Sequence, residues 1–386
     1  MTDLAGGDLS RLRQLNGLAA IGALRGGPAL TLTELAKRTG LSRASTDDVV
    51  RELRELGWVD EAEPIAGTVG RPARRYRFLA DAGYVLGVDV GGHKVLAQVA
   101  DLDGTIAHSS RIAVTPDLGR RERLAAVDDA VRAALAGAHV TPSDIWASGM
   151  ATTGLVDGTG RVMLSEALPE WTGVDLAAHL RRLVSGAVVV ENDCKLAALA
   201  ESWQGVARYA DDVVFLLAGL RTGAGLIIDG KLHRGFGNAA GEIGALPVAG
   251  WLRAQNHLTS WSGPDAVEDV FSAARRGDRQ AANTVRRYVK DLAIGASALV
   301  LTLDPELVVV GGGFSRSADL IIEPLRGELD RWCIRTPEIR ISAFGDEGVA
   351  LGAIRLALDH VEAVLHGGGA LTPADRFRRS RPGRVI

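Results

Sequence analysis

Cysteine is nearly absent. Cys194 and Cys333 are the only two in 386 residues, and they form no spaced pair. That argues against a disulfide framework or a cysteine-rich zinc site and fits a reducing cytoplasm. No apolar run approaches the roughly 20 residues that span a bilayer, so no membrane partner is expected. The opening residues, MTDLAGGDLS, lack a basic region followed by an apolar stretch, which argues against a secretory signal. Charge of one sign is missing too: 44 Lys/Arg stand against 47 Asp/Glu, a net of −3. What remains is an ordinary soluble composition, 47% hydrophobic and 24% charged. The length implies two or three domains.

The small net charge hides an asymmetry. Residues 1–80 carry 12 basic and 10 acidic residues, a net of +2, and the remainder carries −5. Charge alone does not establish nucleic-acid binding. Its placement says more, because Arg71, Arg74, Arg75 and Arg77 crowd one stretch with no acid among them.

Leu15, Leu18, Ala19 and Leu24 suggest a first helix, ended by Gly26-Gly27-Pro28. Thr33 is placed to cap a second, which stops at Gly40. Ser42 is placed to cap a third, in which Val49, Val50, Leu53 and Leu56 form one apolar stripe, and Gly57 ends it. Two short helices joined by a Thr-Gly-Leu-Ser turn read as a helix-turn-helix. The N-terminal turn of the third helix offers Ser42, Arg43, Ser45 and Thr46 to base edges and phosphates. The stretch from Trp58 to Leu79 reads as a two-stranded wing with Gly70-Arg71-Pro72 at or beside its tip. Arg71 is the candidate for a narrow minor groove, with Arg74 and Arg75 beside it. A helical hairpin used only for dimerisation would show similar stripes. The order of turn, reader helix and basic wing favours double-stranded DNA.

After Asp81-Ala82-Gly83 the pattern changes to apolar strands alternating with Ala/Leu-rich helices. Three strands fall between Tyr84 and Val114, a helix over 120–136, strands near 145–150 and 187–190, a helix from Asn192 onward, and strands near 213–218, 224–228 and 307–310. This is an α/β architecture in two similar halves. Three glycine-rich turns suggest a nucleotide cleft: Asp89 with Gly91-Gly92, Gly219 to Gly225, and Gly311-Gly312-Gly313.

Asp89-Val90-Gly91-Gly92-His93-Lys94, Glu191-Asn192-Asp193, Ala240-Gly241-Glu242-Ile243-Gly244 and Val310-Gly311-Gly312-Gly313 occur in an order and spacing that resemble the ROK family of repressors and sugar kinases. The resemblance covers roughly residues 84–360. It implies a two-lobed, actin-like (hexokinase-type, RNase H-like) ATPase fold behind the winged helix-turn-helix, as in the family's regulator branch. The expected organisation is a DNA-binding domain over 1–80, an effector and oligomerisation domain over 81–365, and a basic tail over 366–386. In the family's kinases the aspartate matching Asp193 is the general base, and the residues matching Asn192 and Glu242 hydrogen-bond the sugar. Here these three are the candidate effector residues. A helix cap alone would also account for Asn192 and Asp193.

The sequence departs from the family pattern at the phosphate turns. His93 replaces a threonine, and Leu220 and Arg221 replace a threonine and a glycine. Asp89, Gly91, Gly92, Gly219, Arg221 and Gly223 therefore outline a degenerate phosphate site, with ATP binding expected to be lost. The family's zinc segment is missing as well: Ala245 replaces a histidine, the following WLRAQNHLTSWSGP holds no cysteine, and the sugar-binding glutamate aligns with Leu258. No zinc or other cofactor is expected, and His257 reads as a polar loop residue. The leading expectation is a regulator without kinase activity, most simply a repressor of carbohydrate genes. It would be a homodimer or dimer of dimers on a pseudo-palindromic operator, responding to a small molecule such as a sugar derivative. The alternatives are a sugar kinase with an appended reader and an architectural protein whose large domain only dimerises.

Overall fold

The computed structural model describes residues 9–63, 73–219, 221–262 and 267–366. The first of these build the expected helix-turn-helix from α1 (Leu9–Leu24), β1 (Leu30–Thr31), α2 (Leu32–Thr39), α3 (Arg43–Glu55), β2 (Val59–Glu61) and β3 (Arg75–Phe78). α2 starts at Thr31, not at Thr33. Thr31 Oγ1 accepts the Glu34 N–H, and Glu34 Oε2 accepts the Thr31 N–H at 2.7 Å. This is a reciprocal capping box, and the glutamate three residues on selects which threonine caps. Gly40 closes α2 at φ 73°. Ser42 caps α3 as the sequence predicts, its Oγ accepting the Ser45 N–H at 3.1 Å. Val49, Val50 and Leu53 are buried with Leu18, Ile21, Leu24, Leu35 and Trp58. β1 adds a third strand to the wing, in the order β1-β3-β2. At two residues it is too short for any periodicity to reveal. Gly70-Arg71-Pro72 and the tail beyond residue 366 lie outside the described residues.

The rest of the chain folds twice into one topology. The first lobe holds β4 (Tyr84–Val90), β5 (Lys94–Asp101), β6 (Ile106–Ala113), α4 (Arg120–Gly137), β7 (Ile145–Thr152), the hairpin β8 (Leu155–Val156) and β9 (Val162–Leu164), α5 (Leu176–Leu180), β10 (Ala187–Asn192) and α6 (Asp193–Gln204). The second holds β11 (Val213–Leu217), β12 (Gly223–Ile228), β13 (Lys231–Leu232), α7 (Trp251–Ser262), α8 (Val267–Arg275), α9 (Arg279–Leu303), β14 (Leu307–Gly311), α10 (Ala318–Trp332) and β15 (Glu338–Ile341). Strand orders are β6-β5-β4-β7-β10 and β13-β12-β11-β14-β15. Each is an antiparallel three-strand meander whose first strand pairs in parallel with a fourth, and the fourth with a fifth. Strands sandwiched between helical layers run continuously apolar, as Val85, Leu86, Val88 and Val90 do on β4. The edge strand β6 is mostly solvated.

The last helix, α11 (Gly348–His366), returns to the first lobe. Two glycines let its backbone settle. A Cβ on Gly149 would stand 2.0 Å from Ala353 O, and one on Gly352 would stand 1.8 Å from Leu196 O on α6. α6 and α11 are therefore packed backbone to backbone. The reader is fixed as well. Leu18, Ile21, Leu24 and Trp58 share one apolar cluster with Val85, Leu102, Ile354, Leu358 and Val361 of the first lobe and α11. Trp58 meets Trp146 edge to face at 5.2 Å between ring centres. Among the described residues no helix is long and apolar enough to cross a membrane.

Candidate DNA interface and effector cleft

The exposed start of α3 carries Ser42, Arg43 and Ala44, with Ser45 half-buried. Arg43 has no ion-pair or hydrogen-bond partner among the described residues, so its guanidinium is available to a ligand. Ser42 and Ser45 hydroxyls bond each other at 2.9 Å. Thr46 is a correction to the expected reader set. It has no exposed surface, and its Oγ1 donates to Ser42 O at 2.8 Å, so it holds the first turn of α3 from inside. Arg75 is also diverted from DNA: it donates to Ala29 O at 2.5 Å and to Glu34 Oε1 at 3.1 Å, tying the wing to α2. Arg74 stays largely exposed, 3.5 Å from Glu61. The exposed Asp47, one turn beyond Arg43, was not among the sequence candidates.

The cleft is built where α6 begins. Asn192 caps the helix: its Oδ1 accepts the N–H groups of Cys194 at 2.9 Å and Lys195 at 3.2 Å, and its Nδ2 donates to Gly154 O at 3.1 Å. Asp193 follows, near enough to Asp89 of the first lobe and Glu242 of the second to feel both charges. Burial, and then the Asp89 charge, push its pKa up to about 7, although its Oδ1 accepts the Cys194 N–H at 2.8 Å. Burial also raises Glu242, partly offset by Lys195. Asp89 is raised by burial and partly offset by Lys94, whose Nζ lies 3.1 Å from its Oδ2. The three acids thus share one electrostatic neighbourhood. The single-turn helix Ile243–Ala245 follows Glu242 and leaves Ala245 exposed.

Four residues outside the expected set hold this site together. Glu191 is the hub. Its side chain is 3% exposed, and its carboxylate receives the Asn192 N–H at 2.9 Å, Arg234 Nε at 2.7 Å and Asn238 Nδ2 at 3.2 Å. Lys195, fully buried, lies 3.8 Å from Glu191 Oε1 and donates to Asn238 O. Asn238 also donates to Val156 O at 2.7 Å. The loop leading to Glu242 is thereby fastened to both β8 and β10. Glu191 and Lys195 stand four apart across the start of a helix. That spacing was the available signal.

The phosphate turns are occupied by the protein's own groups. Gly91 N–H donates to Lys94 O at 2.9 Å, and the buried Arg123 donates to Gly91 O at 2.6 Å. Arg221 spans from the β11–β12 turn to the first lobe, donating to Glu166 O at 2.9 Å. Gly223 and Gly225 serve packing: a Cβ on Gly225 would stand 2.4 Å from Cys194 O. The segment expected to be a loop around His257 is the helix α7. Its Trp251, Ala254 and Leu258 are buried in the second lobe's core, and His257 Nε2 lies 3.0 Å from Asp291 Oδ2. No group of three or more potential metal ligands converges among the described residues.

A winged helix-turn-helix docked on a two-lobed actin-like domain defines a DNA-binding transcription regulator rather than a bare kinase. The ROK family profile matches residues 85–260 and 254–360, and an IclR helix-turn-helix domain matches 15–63. The chain belongs to the ROK family. A xylose repressor of Caldicellulosiruptor bescii is 23% identical over 389 residues, covering 91% of this chain and 97% of its own. A glucokinase of Streptomyces coelicolor is 27% identical over 318 residues, covering 71% of this chain and 98% of its own. The crystal structure of a ROK family transcriptional regulator, a homologue of the E. coli MLC protein, superposes with a TM-score of 0.68 at 18% identity, covering 94% of this chain and 98% of that one. The regulators therefore align through the reader, and the glucokinase aligns with the rest.

Proposed function

We propose that this regulator represses genes of carbohydrate use, that a sugar or sugar derivative bound at Asp193 and Glu242 controls it, and that its kinase-like domain transfers no phosphate. The likeness to a xylose repressor across 91% of the chain supports the first element. The charges of Asp89 and Glu242 acting on Asp193 carry the second. Carboxyl groups whose charges oppose one another at one site favour a ligand that donates hydrogen bonds, as a polyol or an amine-bearing sugar does. The Arg221–Glu166 link supports the third, because phosphoryl transfer rests on backbone donors and cations positioned around the phosphates. A homodimer or dimer of dimers would read two half-sites of a pseudo-palindrome with Arg43 on each α3. Zinc has no role in this reading, since Ala245 and the core residue Leu258 occupy positions matching a zinc ligand and a sugar ligand of the family.

Selection of genomic fragments by the full chain, repeated with xylose, glucose and amino sugars, tests the reading. Enrichment of carbohydrate loci, lost with one sugar and insensitive to it in Asp193→Ala and Glu242→Gln, is expected. Fragments no better bound than random DNA at matched salt, or equal sugar response in both variants, would overturn it. The kinase alternative has its own test: ATP-dependent hexose phosphorylation that vanishes in Asp193→Asn would establish it.

A further inference from the structure

We propose that α6 is a strut through which the cleft sets the orientation of the DNA reader, with Trp203 and Arg25 as the positioning residues at its far end. The proposal rests on the cleft reading above for what moves the strut, but the strut itself stands on contacts. Asp193 begins α6, and Trp203 lies ten residues on, about 15 Å along the axis. Between them Leu196 O is pinned against α11 at Gly352. The pin sits about 4–5 Å from the Asp193 end and about 10 Å from the Trp203 end.

Two of the contacts of Trp203 lead to Arg25. Its ring is packed on the β5–β6 turn: a Cβ on Gly104 would come within 2.4 Å of Trp203 Cη2. The same turn supplies Leu102 O to Arg25 Nε at 2.8 Å and Asp103 Oδ1 to the Gly26 N–H at 3.2 Å. The ring also faces Arg355 of α11, whose guanidinium carbon lies 5.6 Å from the ring centre. Arg355 donates to Glu362 Oε2 at 2.8 Å, and Glu362 Oε1 accepts from Arg25 Nη1 at 2.5 Å. Arg25 follows directly on α1, so a cationic fork on the reader grips a turn and a helix that Trp203 wedges apart. Charge-assisted, partly buried contacts of this kind hold a geometry rather than merely screen a surface.

Hydrogen exchange of the full chain tests this without any ligand. Arg25→Ala and Glu362→Gln should speed exchange at amides 18–30 about tenfold, as expected for losing a charge-assisted bond. Trp203→Leu, and Arg355→Gln should Trp203→Leu fold poorly, should speed the same amides about fivefold. Exchange within α3 at 46–53 should not change, because the reader stays folded and only its docking loosens. Arg25→Lys should recover part of the protection, and the remote Arg335→Ala should change nothing. Faster exchange in Arg25→Ala with none in Trp203→Leu or Arg355→Gln would confine the effect to a local clamp and overturn the strut. Loosened α3 amides would show a merely structural role and overturn it too. If the strut variants behave as expected while no sugar shifts DNA binding, the strut stands and the cleft reading falls.

Discussion

Glu191→Gln is the most searching substitution the site permits. The change is isosteric, so it opens no cavity and isolates the charge. In the parent, Glu191 is 3% exposed and Lys195 is fully buried 3.8 Å away. After the change the Lys195 ammonium keeps Asn238 O as its acceptor but faces Arg234 with no carboxylate between them. Breaking a buried pair from one side costs about 3–5 kcal/mol, because the charge left out of water keeps only the more distant Glu242 to oppose it. Loss of the lysine proton caps that cost. Burial already lowers the Lys195 pKa from 10.5 and Glu191 opposes the fall, so removing Glu191 moves it further down. Bringing such a group from 10.5 to neutral pH costs about 5 kcal/mol, the same range. For a domain of this size 3–5 kcal/mol corresponds to a midpoint roughly 10 °C lower. The assay is urea and thermal unfolding of the full chain by tryptophan fluorescence, with the exposed pair variant Arg335→Ala as a control that should move by less than about 1 kcal/mol. The double variant Glu191→Gln, Lys195→Met should recover most of the loss, since both charges are then gone. A single-variant loss below about 1 kcal/mol, or a double variant no more stable than the single, would refute the assignment of Glu191 as the hub.

The raised Asp193 pKa has a definite sign. The native state holds a proton that the unfolded chain releases between about pH 4 and 7, so stability relative to Asp193→Asn should fall as pH rises through that window and level off above it. Parallel profiles for parent and variant would contradict this. On the reader, Arg43→Ala should relax sequence discrimination by roughly 1–3 kcal/mol at one base position, whereas Thr46→Val should leave selected sequences unchanged. A changed motif in the second would return Thr46 to the DNA surface. Ser42→Ala should cost about 1 kcal/mol of stability through the lost cap, read by urea midpoint. Purified protein should carry less than stoichiometric zinc after chelation, checked by elemental analysis.

The longer strands and the Ser42 cap were legible because their signals are local. Alternation and apolar runs marked β4, β5, β7 and β11, and a serine before an apolar stripe marked α3. Thr46 was misjudged although the signal was present: it precedes Val49, Val50 and Leu53 by three, four and seven residues, the phase of the buried stripe. The helix around His257 also carries its signal in the sequence: Trp251, Ala254 and Leu258 fall at i, i+3 and i+7, one buried helix face. Arg75 could not be placed from sequence, since its acceptor at Ala29 depends on a two-residue strand. The Glu191 network was equally hidden, because Arg234 and Asn238 are 43 and 47 residues away and reach it only when their loop folds back.

The three residues singled out for the effector are therefore not equivalent. Asn192 is largely committed to the fold: its oxygen caps α6 twice, and one of its two amide hydrogens serves Gly154 O. A ligand could accept from its second amide hydrogen, but could reach its oxygen only by displacing a cap bond worth about 1 kcal/mol net. Asp193 is half spent, with one oxygen on the Cys194 N–H. The Glu242 carboxyl has no hydrogen-bond partner among the described residues. The carboxyl oxygens open to a ligand thus lie on Asp193, at the start of α6, and on Glu242, at the end of the loop that Glu191 and Lys195 anchor. A ligand that bonds both adds donors to two acids and ties that loop to the start of α6. Its binding energy is then spent on the one helix end from which a displacement can reach the reader, which is the differential contact that any ligand control of DNA affinity requires.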